Sequence, residues 1–161
     1  MPKQIRGAGP NDVGSYQLSG VPYVTSSNGN TINSVPTVVQ FPFVTRFFVV
    51  SNTSEHPLRI GFSKNGVNVP EGLTSSYGKY SSNRNYFVIS GSGGNSPSSL
   101  RLELRCKELW FRRDGATEAM NSGFSLIAGL TGIRSDQFPV LTASFRSGST
   151  GNYHNSFEGI G

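Results

Sequence analysis

The chain has 161 residues, enough for one domain that buries about two-thirds of its unfolded surface and holds a core without cross-links. Only 14% of its residues are charged, against a usual figure of about a quarter, and the formal net charge is +5. A single cysteine excludes an intrachain disulfide, and the most apolar window, residues 35–50, is broken by Pro36, Gln40, Pro42 and Arg46, which excludes a helical membrane span there.

The composition favours an all-β domain. There are 20 glycines and 11 phenylalanines, many short apolar runs and no sustained helical period. Low charge fits a surface that ends inside an assembly. The basic residues do not form a block. Lys3 and Arg6 stand near the start, and five more lie between Arg101 and Arg113. Solvated strand faces account for them, with nucleic acid or anionic lipid as the competing partner. Residues 1–7 hold no apolar h-region, so no signal peptide is expected.

In chain order, residues 1–20 are polar and glycine-rich and read as an arm. Val21-Pro-Tyr-Val-Thr25 predicts a short strand, ended by Ser26-Ser-Asn-Gly-Asn30; Pro22 confines it to a sheet edge or a strand start. Two strand pieces follow, around Val38–Val44 and Arg46–Val50; Pro42 either demotes the first piece or marks a kink between them. Leu58-Arg-Ile-Gly-Phe62 alternates as a strand, and Asn65-Gly66 predicts a hairpin turn after it. Residues 68–84 are a Gly/Ser/Tyr loop, Asn85–Ser90 a strand around Phe87-Val-Ile89, and residues 91–99 a turn.

The run 99–113 carries the strongest pattern. Leu100, Leu102, Leu104 and Cys106 alternate with Arg101, Glu103, Arg105 and Lys107, which puts four apolar side chains on the core face of one long strand. From Leu109 to Phe111 the pattern becomes apolar on both parities, so either a bulge resets the register or a second layer covers the other face. Asp114-Gly115 marks a turn, and residues 116–120 hold one helical turn at most. Phe124–Ala128 and Val140–Phe145 are the last strands, and residues 147–161 form a Gly/Ser/Asn tail. About eight antiparallel strands in two sheets is the count of a single jelly-roll β-sandwich; an immunoglobulin-like sandwich is the rival, without its cysteine pair.

No catalytic constellation is legible, and no enzyme, metal or cofactor is expected. His56 and His154 form no ligand pair, and no serine sits in a Gly-x-Ser-x-Gly elbow. Asn52-Thr53-Ser54 matches the glycosylation pattern by chance. Glu103 and Glu108 fall on opposite faces of one strand, unsuited to a carboxylate pair. Gly123, Gly129 and Gly132 serve strand bends rather than a phosphate loop. Tyr77, Tyr80 and Tyr86 suit a sugar site or, more simply, loop packing. Cys106, among leucines, is a buried inert thiol.

Five segments in order carry a resemblance: Leu58-Arg-Ile-Gly-Phe-Ser-Lys-Asn-Gly-Val67, Asn85-Tyr-Phe-Val-Ile89, Leu104-Arg-Cys-Lys-Glu-Leu-Trp-Phe111, Phe124-Ser-Leu-Ile-Ala-Gly-Leu-Thr-Gly-Ile133 and Phe138-Pro-Val-Leu-Thr142. The chain resembles, over residues 36–145, the penton proteins of large icosahedral nucleocytoplasmic DNA viruses. Ala128-Gly-Leu-Thr-Gly-Ile133 with Phe138-Pro139 is its sharpest element.

The resemblance implies one jelly roll, a homopentamer at each capsid vertex, and no catalytic residues. It also implies major and minor capsid proteins as neighbours, an inner membrane or the genome facing the basic residues, and assembly in the host cytoplasm. The resulting layout is an arm (1–20), a jelly roll (21–146) and a tail (147–161). Lys3, Arg6, Tyr153, Phe157 and Ile160 are the residues expected to touch neighbouring chains, because apolar side chains on such a tail gain burial only on a partner. A carbohydrate- or receptor-binding jelly roll is the alternative.

Overall fold

The computed structural model describes residues 20–67, 86–91, 98–115 and 122–138, with a strand pair at 144–147 and 152–155. The strands are β1 (Pro22–Ile32), β2 (Thr37–Gln40), β3 (Phe43–Asn52), β4 (Leu58–Gly61), β5 (Tyr86–Ile89), β6 (Ser99–Leu102), β7 (Glu108–Arg113), β8 (Ser122–Arg134), β9 (Ser144–Ser147) and β10 (Asn152–Asn155). One sheet has the order β1-β8-β3-β6 and the other β2-β7-β4-β5; β9 and β10 pair only with each other. No helix among the described residues is long and apolar enough to cross a membrane.

The pairing has a simple logic. β1 pairs with β8, β2 with β7, β3 with β6 and β4 with β5, all antiparallel. That is one ribbon doubled back on itself between β4 and β5. Rolling the ribbon brings β3 also against β8 and β4 also against β7. The chain is an all-β, eight-stranded jelly roll with a two-stranded appendage.

Alternation builds the core. Phe48 and Val50 of β3, Leu58 and Ile60 of β4, Leu109 and Phe111 of β7, and Phe124, Leu126, Ala128 and Leu130 of β8 are all buried in one cluster. Phe111 and Phe124 stack across the two sheets with ring centroids 4.1 Å apart. Each such large side chain contributes about 1.5–3 kcal/mol.

Several sequence expectations need correction. The run 99–113 is two strands in different sheets, because the ribbon leaves the first sheet after Leu102 and joins the second at Glu108. Leu100 and Leu102 pack half-buried against the core and Cys106 is buried, but Leu104 is 42% exposed because it lies in the crossing between the sheets. Glu103 and Glu108 therefore do not share a strand.

Residues Ser26–Asn30 do not end β1, which continues to Ile32 through a register irregularity after Ser27. Asn65-Gly66 sits in a four-residue helical turn, α1 (Lys64–Val67), rather than a hairpin: the Ser63 hydroxyl accepts from the Gly66 N–H at 2.9 Å and caps it. The last jelly-roll strand is β8, and the strand near Val140–Phe145 is β9, in its own pair. Pro22 does open an edge strand; Pro42 separates β2 from β3, so the break falls within the expected piece Val38–Val44, and β3 runs on through Arg46.

Candidate functional site

Of the residues expected to touch neighbours, Lys3, Arg6, Phe157 and Ile160 lie outside the described residues. Tyr153 is in β10, its backbone opposite Arg146 of β9. Residues 116–120, Tyr77 and Tyr80 also lie outside. The polar chemistry that the structure does place falls into three groups.

The first is the corner after β3. Asn52 is fully buried. Its Nδ2 donates to the carbonyls of His56 at 2.8 Å, Ser90 at 3.1 Å and Ile89 at 3.2 Å. Its Oδ1 accepts from the Ser54 N–H at 3.0 Å, with the Ser54 hydroxyl 2.7 Å away. One side chain thus ties the turn out of the first sheet to the end of β5 in the second. Gly91 completes the corner, since a Cβ there would run into the backbone of Glu55 and His56. The glycosylation pattern at Asn52 is a structural amide whose nitrogen is committed to main-chain carbonyls.

The second group is the crossing, where 41–45 and 103–107 pass between the sheets side by side. Phe41 N–H donates to Lys107 C=O at 2.8 Å, and Thr45 N–H to Cys106 C=O at 3.0 Å. The Thr45 hydroxyl donates to Leu104 C=O at 2.8 Å, accepts from Cys106 N–H at 3.0 Å and lies 3.2 Å from Cys106 Sγ. Burial pushes the Cys106 thiol up to about 11; the Thr45 hydrogen bond lowers it and nearby Glu108 raises it. The thiolate is suppressed near neutral pH, and the protonated thiol lies packed in the crossing beside the Thr45 hydroxyl.

The third group lies on the outer face of the second sheet. Register puts Arg59 beside Arg112 and Val88, and Gly61 beside Trp110 and Tyr86. Arg59 is only 3% exposed. Its Nε meets Asp114 Oδ1 at 2.5 Å, and its guanidinium lies 4.6 Å from the Tyr86 ring centre. Arg112 Nε turns to Ser34 C=O at 2.8 Å, and Trp110 Nε1 donates to Glu108 at 3.1 Å. Alternation places Arg59 on this face, but no sequence signal announced its burial. Its partners are 55 and 27 residues away along the chain.

The outer face of the first sheet is different. Register aligns Val24, Ile127, Val49 and Arg101 in one row across four strands, and Ser26, Ser125, Ser51 and Ser99 in the next. Val24 is 68% and Ile127 49% exposed. Phe47 lies over Gly129, where a Cβ would collide with the ring, and Arg101 stacks on Phe47 with 5.0 Å to the ring centre. This face carries small and apolar groups, with Arg101 at its β6 edge.

Among the described residues, no three His, Cys, Asp or Glu side chains converge on a common point. The polar groups described above brace a turn, the crossing and an outer sheet face. Compared with known proteins, the chain matches no family model and no curated protein.

Proposed function

We propose that the chain is a viral structural protein, a penton subunit whose homopentamer closes the vertices of an icosahedral capsid. The observation that carries the reading is where four of the five resembling segments fall: on β4, β5, β7 and β8, strands of a single rolled ribbon; the fifth lies outside the described residues after Phe138. Low charge, 14% overall, and exposed valines on and beside β1 and β2 support a subunit packed among neighbours. In this reading major and minor capsid proteins flank the ring, the basic residues face an inner membrane or the genome, and the terminal segments reach adjacent chains. Assembly takes place in the host cytoplasm.

The alternative, a carbohydrate- or receptor-binding module, needs an open aromatic groove. Against it, the Tyr86 ring carries the Arg59 guanidinium and the Trp110 N–H is bonded to Glu108. Electron microscopy of particles carrying an epitope-tagged copy tests the proposal. Tag density confined to the five-fold vertices is the expected result. Tag density spread over the facets, or particles without the chain, would overturn it.

A further inference from the structure

We propose that copies of this chain join side to side, the edge formed by β1 and β2 of one copy packing against the edge formed by β5 and β6 of the next. The proposal rests on the pentamer reading above and names its contact surface.

The two strands of each pair lie on one side of the sandwich. β1 and β2 are the first strands of the two sheet orders, and only residues 33–36 connect them. At their other ends the Tyr23 and Phe41 rings meet edge to face with centroids 5.2 Å apart. On the opposite side Asn52 bonds both to the carbonyl of Ile89, where β5 ends, and to that of Ser98, where β6 begins.

The β1/β2 side carries a proline and an irregularity but none of the charges usual at sheet edges. From Val13 to Thr45 the sequence contains no Asp, Glu, Lys, Arg or His. Soluble proteins place charges, prolines or bulges on free edges to prevent pairing. Here Pro22 and the irregularity after Ser27 leave Tyr23–Ser27 regular and uncharged between them. Among the described residues, four of the seven exposed large apolar side chains lie there: Val21 at 60%, Val24 at 68%, Val35 at 63% and Val38 at 36%. Of the remaining three, Val88 is on β5, and Leu104 lies two residues past the end of β6, in the crossing. Only Ile127 lies on an inner strand, and it adjoins Val24 in register.

Two different sides bearing exposed apolar groups are what a head-to-tail contact needs. Such a contact closes into a ring when its rotation divides the circle. The size also fits. At ~3.4 Å per residue β1 is ~37 Å long, and two sheets ~10 Å apart with their side chains make a side ~20 Å wide. The product, on the order of 700 Å², approaches the ~800 Å² per partner of a standard interface. A second copy is the occupant these features fit, since β1, β2 and their connection carry no charged residue of their own for a lipid headgroup or a nucleic acid, and the Arg112 guanidinium that reaches this side is bonded to Ser34 C=O.

The test is sedimentation velocity of the full chain over a hundred-fold concentration range, beside Val24→Lys, Val38→Lys and the control Gln137→Lys. Both valine side chains point outward, and circular dichroism with a thermal melt verifies that each variant folds. If Val24→Lys lowers the melting midpoint, Val21→Lys replaces it. Wild type and control should sediment as a ring. Each valine variant should need at least ten times more protein to assemble. Valine variants that assemble like wild type would overturn the contact surface and leave the ring standing. A wild type that stays monomeric throughout would overturn the ring reading itself.

Discussion

Leu58-Arg59-Ile60 and Leu100-Arg101-Leu102 are nearly the same triplet, and each sits in a four-residue antiparallel strand with its arginine on an outer sheet face. Their arginines have opposite fates. The Arg59 side chain is 4% exposed, while that of Arg101 is 62% exposed. β4 lies between β7 and β5, whereas β6 is the last strand of its sheet. Arg59 therefore has neighbours on both flanks and draws in Asp114 and Tyr86. Arg101 has β3 on one flank only and reaches Phe47 and its own neighbour Glu103. Alternation assigns a face; position in the sheet and long-range partners decide burial.

This comparison can be broken most severely at Arg59. Arg59→Ala removes a buried ion pair, a ring contact and a packed stem, and should cost about 3 kcal/mol by urea unfolding. A loss within about 0.5 kcal/mol would mean that Arg59 behaves as a surface residue like Arg101.

The next effect concerns Cys106, at the far end of the run that begins with Arg101. Its folded value of about 11 lies above an ordinary 9.0, so its contribution is complete below about pH 9 and is lost as pH rises toward 11. Between pH 8 and 11 the wild type should lose about 2 kcal/mol more stability than Cys106→Ala. Parallel pH curves for the two proteins would place the thiol in solvent.

Asp114→Asn tests the charge balance of the Arg59 side alone. Arg59 and Arg112 stand directly opposite each other across β4 and β7, and like charges so placed are unfavourable without a counterion. The expected cost is about 1–2 kcal/mol, partly relieved by added salt. Arg101→Ala should be nearly silent, at most about 0.5 kcal/mol, since its pair with Glu103 is exposed on both sides.

Much of the fold was legible because period-two patterning survives wherever a strand faces the core. The runs around Val38, Leu58, Phe87 and Phe124 all became strands, and Pro22 and Pro42 marked an edge and a crossing. The run 99–113 misled because a ribbon that changes sheets keeps its backbone extended. Leu104 continues the apolar rhythm while the structure beneath it changes. The change to apolar residues on both parities at Leu109–Phe111 was the trace of that transfer. There β7 lies between β2 and β4, with Phe111 buried and Trp110 half-buried on the outer face. Asn52, whose motif was set aside as a chance match, was illegible in another way. Its short motif matches a modification signal, but its function as a corner clamp depends on carbonyls 4, 37 and 38 residues away, which no local pattern encodes.

The central claim, a five-fold structural subunit, is tested most directly by native mass spectrometry of the purified full-length chain. The account predicts a dominant closed species at five times the 17.3 kDa chain mass. A monomer at every concentration, or a closed species of another order, would contradict it.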